Sequence, residues 1–172
     1  MKRSDAESLA ANMNNRKVQQ YLNMTIDPYT AEHARKWINQ THRLAREDRG
    51  YHFGIQPASM DEAVGCIGLK NLNRESLNVE LGYWIGERYW KQGLMTEAVS
   101  LILGFVFDTL KFHRVYAIVH SGNLGSVRLL EKSHFVREGI YREAHRTGSK
   151  WHDVYFYGLL KREWKDTQSK PR

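Results

Sequence analysis

Apolar and polar positions along this chain change period several times, and each change marks an element. Ser4-Asp5-Ala6-Glu7 fits a capping box, and Leu9, Met13, Val18 and Leu22 continue one apolar face, which predicts a helix or a broken helix pair to about Leu22. Asp27-Pro28 breaks it. Thr30 can cap a second helix to about Glu47, with Ala34, Trp37, Ile38, Leu44 and Ala45 as a buried stripe and Gly50 at its end. Strand-like segments follow over Tyr51 to Gln56, Ala63 to Leu69 and Leu77 to Ile85, an antiparallel meander with turns at Pro57 to Asp61 and Asn71 to Ser76. Met95 to about Leu110 is apolar nearly all round, as expected of a helix packed across a sheet. Arg114 to His120 reads as a strand, and Gly122-Asn123 opens a short helix to about Lys132. Phe135 to Ala144 and Trp151 to Leu160 read as a closing hairpin around Thr147-Gly148. The order ααβββαβαββ predicts an α+β fold with a mixed, mostly antiparallel central sheet sandwiched by helices.

Composition narrows the class. With 172 residues and 41% apolar positions, the chain can bury a full core as a single domain over 1–172, with residues 165–172 read as a frayed basic tail. Its longest apolar run, Leu101 to Phe107, is far short of the roughly 20 residues that span a bilayer, and no apolar N-terminal stretch suggests a signal peptide. A cytoplasmic protein is the expectation. Cys66 is the single cysteine and lies in an apolar strand-like run, so it reads as a small core residue. The eight histidines show no HExxH spacing, so no metal is expected, and surface, core or general-base roles remain for them. The net charge of +7 allows a polyanionic ligand, but the basic residues are dispersed among acidic ones, which speaks against nucleic acid.

Three segments carry candidate chemistry. The run Tyr89-Trp90-Lys91-Gln92-Gly93-Leu94-Met95-Thr96-Glu97-Ala98 joins a strand to an apolar helix through a short turn. The first helical turn has backbone N–H groups without helical partners and carries partial positive charge, so it suits an anion. Gly93 lets a ligand approach the main chain, or it only shapes the loop. In the strand before it, Glu80 shares a face with Asn78, Gly82 and Trp84. Glu80 is either exposed, or paired with Arg114 or Lys70, or a base reached directly or through water. Asn123 can cap the following helix, and Ser126 stands one turn on.

Together these blocks resemble the GNAT superfamily of acetyl-CoA-dependent N-acetyltransferases, in its ribosomal-protein-alanine (RimJ/RimL) branch, which is also similar to spermidine acetyltransferases. The resemblance is carried by the turn just quoted, by Glu80-Leu81-Gly82-Tyr83-Trp84-Ile85 before it, by Asn123-x-x-Ser126 with Leu129-Leu130-Glu131-Lys132 and Phe135 after it, and by Glu138-Gly139 and Trp151-His152-Asp153. It implies that the amides of Lys91, Gln92, Gly93, Leu94, Met95 and Thr96, with Asn123, hold acetyl-CoA. It further implies that Tyr83, Trp84 and Ile85 pair with the pantetheine arm, and that a backbone N–H near Tyr83 polarises the thioester carbonyl. Glu80 would be the base and Ser126 the acid. The implied reaction is direct transfer to a primary amine, foremost a protein or peptide N-terminus. The alternatives are a small amine such as a polyamine, amino sugar or antibiotic, a non-catalytic acyl-CoA-binding module, and last a nucleic-acid binder. A monomer or a homodimer fits equally.

Departures from that pattern are Lys91 and His134 where the family has glycine, and Leu130 where many members carry an acid tyrosine. The family's first strand is short or missing, since only Met1-Lys2-Arg3 precedes the first helix.

Overall fold

The computed structural model describes residues 1–22, 26–147 and 149–168. A 3-10 turn (Arg3–Asp5) leads into α1 (Ala6–Met13), α2 (Arg16–Gln19) and α3 (Ala31–Arg46). Strands β1 (Tyr51–Ile55), β2 (Gly65–Asn73) and β3 (Asn78–Ile85) follow, then a 3-10 turn (Glu87–Tyr89) and α4 (Leu94–Gly104), which runs on as a π-helical turn (Phe105–Thr109). The chain closes with β4 (Arg114–His120), α5 (Leu124–Lys132), β5 (Val136–Thr147), β6 (Lys150–Leu160) and α6 (Lys161–Gln168). The sheet has six strands in the order β1-β2-β3-β4-β6-β5. β3 and β4 pair parallel, while β1–β2, β4–β6 and β5–β6 pair antiparallel. This is the expected α+β architecture, with α6 added after the last strand and no strand before α1 among the described residues. α6 carries helix to Gln168, into the stretch read as tail, and 169–172 lie outside the described residues.

The chain clusters into two compact units, one of Met1–Lys70 with Gly82–Ala98, the other of Asn71–Leu81 with the chain from Val99 onward. In the first, Ala6, Leu9, Ala10, Met13, Ala34 and Ile38 bury one face of α1 and α3 around Ala63, with Trp37 and Trp84 packed at the margin. In the second, Phe107, Phe112, Val115, Leu130, Tyr157 and Leu159 are completely enclosed. Burying apolar side chains of this size contributes about 1.5–3 kcal/mol each.

Several local expectations change. Ser4 caps nothing: Asp5 turns its carboxylate to the amides of Lys2 (2.6 Å) and Ala63 (3.2 Å), and the chain enters α1 through the 3-10 turn. Thr30 does cap α3, with His33 reciprocating in a capping box. The buried stripe of α3 is Ala34, Ile38 and Thr41, whose hydroxyl donates to the Ile38 carbonyl at 2.8 Å, while Leu44 and Ala45 are half-buried. Asp48 (φ 53°) takes the left-handed conformation after the helix, not Gly50. β2 runs past Leu69 to Asn73, through residues read from sequence as a turn.

Candidate active site

In the first unit, β3 ends in the strand-to-helix turn. A Cβ on Gly65 of β2 would lie 2.5 Å from the Trp84 carbonyl oxygen, and the Gly86 N–H donates to the Val64 carbonyl at 3.0 Å, so Trp84 and Gly86 turn their backbone groups toward β2. Because backbone groups alternate sides along a strand, those of Tyr83 and Ile85 face the opposite edge. There the Ile85 carbonyl accepts from the indole N–H of Trp90 at 2.9 Å, which pins the start of the turn to the strand. The 3-10 turn closes with Tyr89 N–H on the Gly86 carbonyl and Trp90 N–H on the Glu87 carbonyl, both 3.0 Å, and the Gln92 side-chain amide donates to the Arg88 carbonyl at 2.7 Å.

Beyond Trp90 the turn takes two left-handed residues, Lys91 (φ 61°) and Gly93 (φ 82°). α4 begins at Leu94, and the Glu97 N–H donates to the Gly93 carbonyl at 3.0 Å, so the amides of Leu94, Met95 and Thr96 precede that first turn's hydrogen bond. Lys91, Gln92, Gly93 and Thr96 are exposed, and a Cβ built on Gly93 meets no atom within 4 Å. Exposed amides at the positive end of a helix dipole suit an anion. Lys91 tolerates the left-handed conformation in place of glycine.

Still within this unit, a cavity of about 580 Å³ is lined by Ala11, Asn12, Asn14, Asn15, Glu87 and Arg88. Its one carboxylate is already engaged: Glu87 accepts from Asn15 (2.8 Å) and Lys17 (2.5 Å), and these bonds hold it below the usual carboxylate range.

In the second unit, Glu80 lies between the buried Val79 and Leu81 and is itself only 7% exposed, which removes the exposed-carboxylate alternative. Its Oε2 accepts from the side-chain amide of Asn71 at 2.8 Å. Parallel register sets Tyr116 of β4 directly beside it. Burial first, and then the charge of Glu80, raise the Tyr116 phenol, while a hydrogen bond from Asn71 acts the other way. Arg114, considered from sequence as a partner for Glu80, instead forks onto both carboxylate oxygens of Glu138, and the fork holds Glu138 below and Arg114 above their ordinary values. The fork passes over Gly158, where a Cβ would meet Glu138 Oε1 at 2.4 Å and Arg114 Nη1 at 2.5 Å.

Asn123 caps α5 by accepting the Ser126 N–H at 3.1 Å, as its residue type suggested. Leu130 is fully enclosed. After α5, His134 takes φ 64° and donates its N–H to the Glu131 carbonyl (3.1 Å), and Phe135 N–H donates to Leu130 (3.0 Å), a Schellman closure with Phe135 buried.

Register along the second unit sets a strip on one sheet face: Glu80, Tyr116, then Ile118 beside Phe156, then Tyr141 and His120 on either side of Val154, and His145 beside His152. Ile118 is 43% and Tyr141 58% exposed, and Tyr141 stacks on Phe156 with ring centroids 4.2 Å apart. The His120 ring stands 4.4 Å from that of His152 and 5.2 Å from that of His145. Burial and the two neighbouring imidazoles lower the His120 pKa. Sequence reading missed Asn71 and Tyr116. The parity of Arg114 to His120 held the signal for Tyr116, whereas Asn71 fell in a stretch read as a turn. Cys66 is buried, and desolvation pushes its thiol up to about 12. Among the described residues no helix is long and apolar enough to cross a membrane, and no cluster of histidine, cysteine and carboxylate could hold a metal.

A family model described as an acetyltransferase (GNAT) domain matches residues 1–136. Among curated relatives, the probable N-acetyltransferase YjcK of Bacillus subtilis (strain 168) is 38% identical over 135 residues, covering 78% of this chain and 75% of its own. The [ribosomal protein uS5]-alanine N-acetyltransferase of Escherichia coli (strain K12) is 27% identical over 128 residues, 74% of this chain and 64% of its own. Of solved structures, a probable acetyltransferase superposes with a TM-score of 0.87 at 29% identity, over 95% of this chain and 92% of that one. Mycobacterium smegmatis RimJ in complex with CoA-disulfide superposes at 0.85 with 20% identity, over 95% and 80%.

Proposed function

This chain belongs to the GNAT acetyltransferase family and is an N-acetyltransferase, and from that premise we propose that it moves the acetyl group of acetyl-CoA directly to the N-terminal amine of a protein or peptide. The observation that carries the reading is a buried carboxylate, Glu80, at one end of a strip of apolar and aromatic side chains, the exposed Ile118 and Tyr141 with the half-buried Phe156 against them. Such a strip suits the side chains that follow an N-terminus. A polyamine asks for a cluster of unspent carboxylates, whereas Glu32, Glu47 and Glu87 are each paired with a cation and Glu80 is the one carboxylate among the residues named for the strip.

In this reading the amides from Lys91 to Thr96 hold the pyrophosphate, Asn123 lends its capped helix start, and the backbone of Tyr83, Trp84 and Ile85 guides the pantetheine arm. A backbone N–H near Tyr83 stabilises the developing oxyanion. Glu80 takes the proton of the amine as the N–C bond forms. The C–S bond breaks, and Ser126 or water returns a proton to the thiolate. Free amines are scarce at neutral pH, so the base matters most there.

The test is a mass-spectrometric screen for acetylated products with N-terminal peptides, polyamines and amino sugars in parallel, on wild type, Glu80→Gln and Ser126→Ala. Peptides become acetylated at the α-amine, and Glu80→Gln loses about 10²–10⁴-fold in kcat at neutral pH and less at high pH. Preferred acetylation of a polyamine or amino sugar overturns the acceptor. Binding of acetyl-CoA with turnover on none of the amines overturns the reaction in favour of a binding module.

A further inference from the structure

Glu80 sits in an environment where position matters as much as identity. A carboxylate this enclosed, between Val79 and Leu81, requires hydrogen-bond donors to offset its desolvation. Asn71 supplies one at 2.8 Å, and it does so from inside β2 with a left-handed backbone (φ 51°). A left-handed residue within a strand bends it and re-aims its side chain, and asparagine is among the few residues that adopt that conformation readily. An amide also has two N–H donors and no charge. A cation at this place would neutralise the carboxylate, whereas the amide orients it. The same side chain donates to the Tyr116 hydroxyl, which the parallel register sets beside Glu80.

We propose that Asn71 is the positioning residue for the Glu80 carboxylate, its single amide holding the carboxylate and the Tyr116 hydroxyl as a fixed pair at the head of the acceptor strip. This rests on Glu80 being the base. The parallel register sets the phenol beside the base, and burial first and then the carboxylate's charge raise its pKa. The other titratable groups on this face are Lys70 of β2, whose Cε lies 3.7 Å from where a Cβ on Gly82 would stand, and, on β4, Arg114, already forked onto Glu138 with Glu163 in electrostatic reach, and His120 further along the strip.

The test uses the full chain with acetyl-CoA and an acceptor peptide whose N-terminal amine is free, and it separates orientation from folding by the choice of variants. Asn71→Gly takes φ 51° without strain and removes the amide. Asn71→Asp keeps the shape and sets a second carboxylate against Glu80. Expected are a fall of about tenfold in kcat for Asn71→Gly with the acetyl-CoA KM unchanged, and an upward move of about one pH unit in the acid limb of kcat for Asn71→Asp. In a Glu80→Gln background Asn71→Gly costs no further rate, because the group it orients no longer takes a proton. Tyr116→Phe lowers kcat without moving the acetyl-CoA KM. If Glu80→Gln loses rate but the Asn71 variants leave kcat and the acid limb in place, or if the two losses multiply, the positioning role is overturned and the base survives. If Glu80→Gln itself retains wild-type kcat, both readings fall together.

Discussion

Replacing Gly93 by leucine separates the cost to the fold from the cost to the donor. At φ 82° a residue with a Cβ pays about 1–2 kcal/mol for the left-handed backbone. No steric term adds to this, since the Cβ meets nothing within 4 Å, and the Gly93 carbonyl keeps its bond from Glu97. For a chain of this length each kcal/mol lowers Tm by about 2–4 °C, so the expected drop is about 2–8 °C with the fold intact. The new side chain would instead occupy the space into which the phosphates settle. Displacing even one amide bond to an ionised oxygen costs about 1.5–3 kcal/mol, which raises the KM for acetyl-CoA by about 10- to 100-fold. The assay pairs a thermal melt with steady-state kinetics on two donors, acetyl-CoA and S-acetylpantetheine, which has no pyrophosphate. The acceptor KM stays unchanged, and the phosphate-free donor is used equally by wild type and variant. An unmoved acetyl-CoA KM beside the expected Tm drop refutes the cradle, and an equal loss on both donors means that the turn has been distorted as a whole.

Three further outcomes follow from the same structure. His134→Gly relieves the left-handed histidine that closes α5 and should raise Tm by about 1–4 °C; a fall would mean that the imidazole itself stabilises the closure. Gly158→Ala drives a methyl into the Arg114–Glu138 fork and should cost about 1–3 kcal/mol in denaturant melts, a loss that shrinks when Glu138 is already alanine and persists undiminished if the fork is irrelevant. His120 has a folded pKa below its unfolded value, so the unfolded chain takes up a proton first as pH falls below about 6.5 and stability is lost from there down to the folded value; His120→Asn should flatten the Tm–pH slope between pH 7 and 5, and an unchanged slope would clear the histidine cluster of that role.

How much of this was legible in the chain depended on whether the deciding interaction was local. Thr30, Asn123 and the strand Arg114 to His120 carry their signal in residues close along the chain, and there pattern and structure agree. Ser4 misled because its competitor Asp5 is engaged by Ala63, 58 residues away. Gly50 misled because it follows the left-handed Asp48. Glu80 was found from its parity on β3, but the Asn71 amide that donates to it was not, and Arg114, considered from sequence as a partner, is forked onto Glu138 of β5. The turn Lys91 to Thr96 was visible as a composition, while its openness was not, because nothing in a sequence says what stands opposite a glycine.

Asn71 shows what a composition-based reading of turns overlooks. Asn-Leu-Asn-Arg-Glu-Ser has the residues of a loop, and asparagine's tolerance of a positive φ is usually taken as the mark of one. Here the tolerance serves a strand: the chain stays extended to Asn73, one residue turns left-handed, and the amide so re-aimed reaches a carboxylate nine positions on. Parity then does the rest. Val79 and Leu81 hold β3 to the core, so Glu80 must stand on the other face with Tyr116, and a slip of one residue in β3 would turn the base to the face that Val79 and Leu81 fill and carry it away from Asn71 and Tyr116. The packing that fixes the register of β3 is therefore the same packing that keeps Glu80 within reach of Asn71. On this argument, core substitutions such as Val79→Ala should lower kcat in proportion to the disorder they bring to β3, before they unfold the protein.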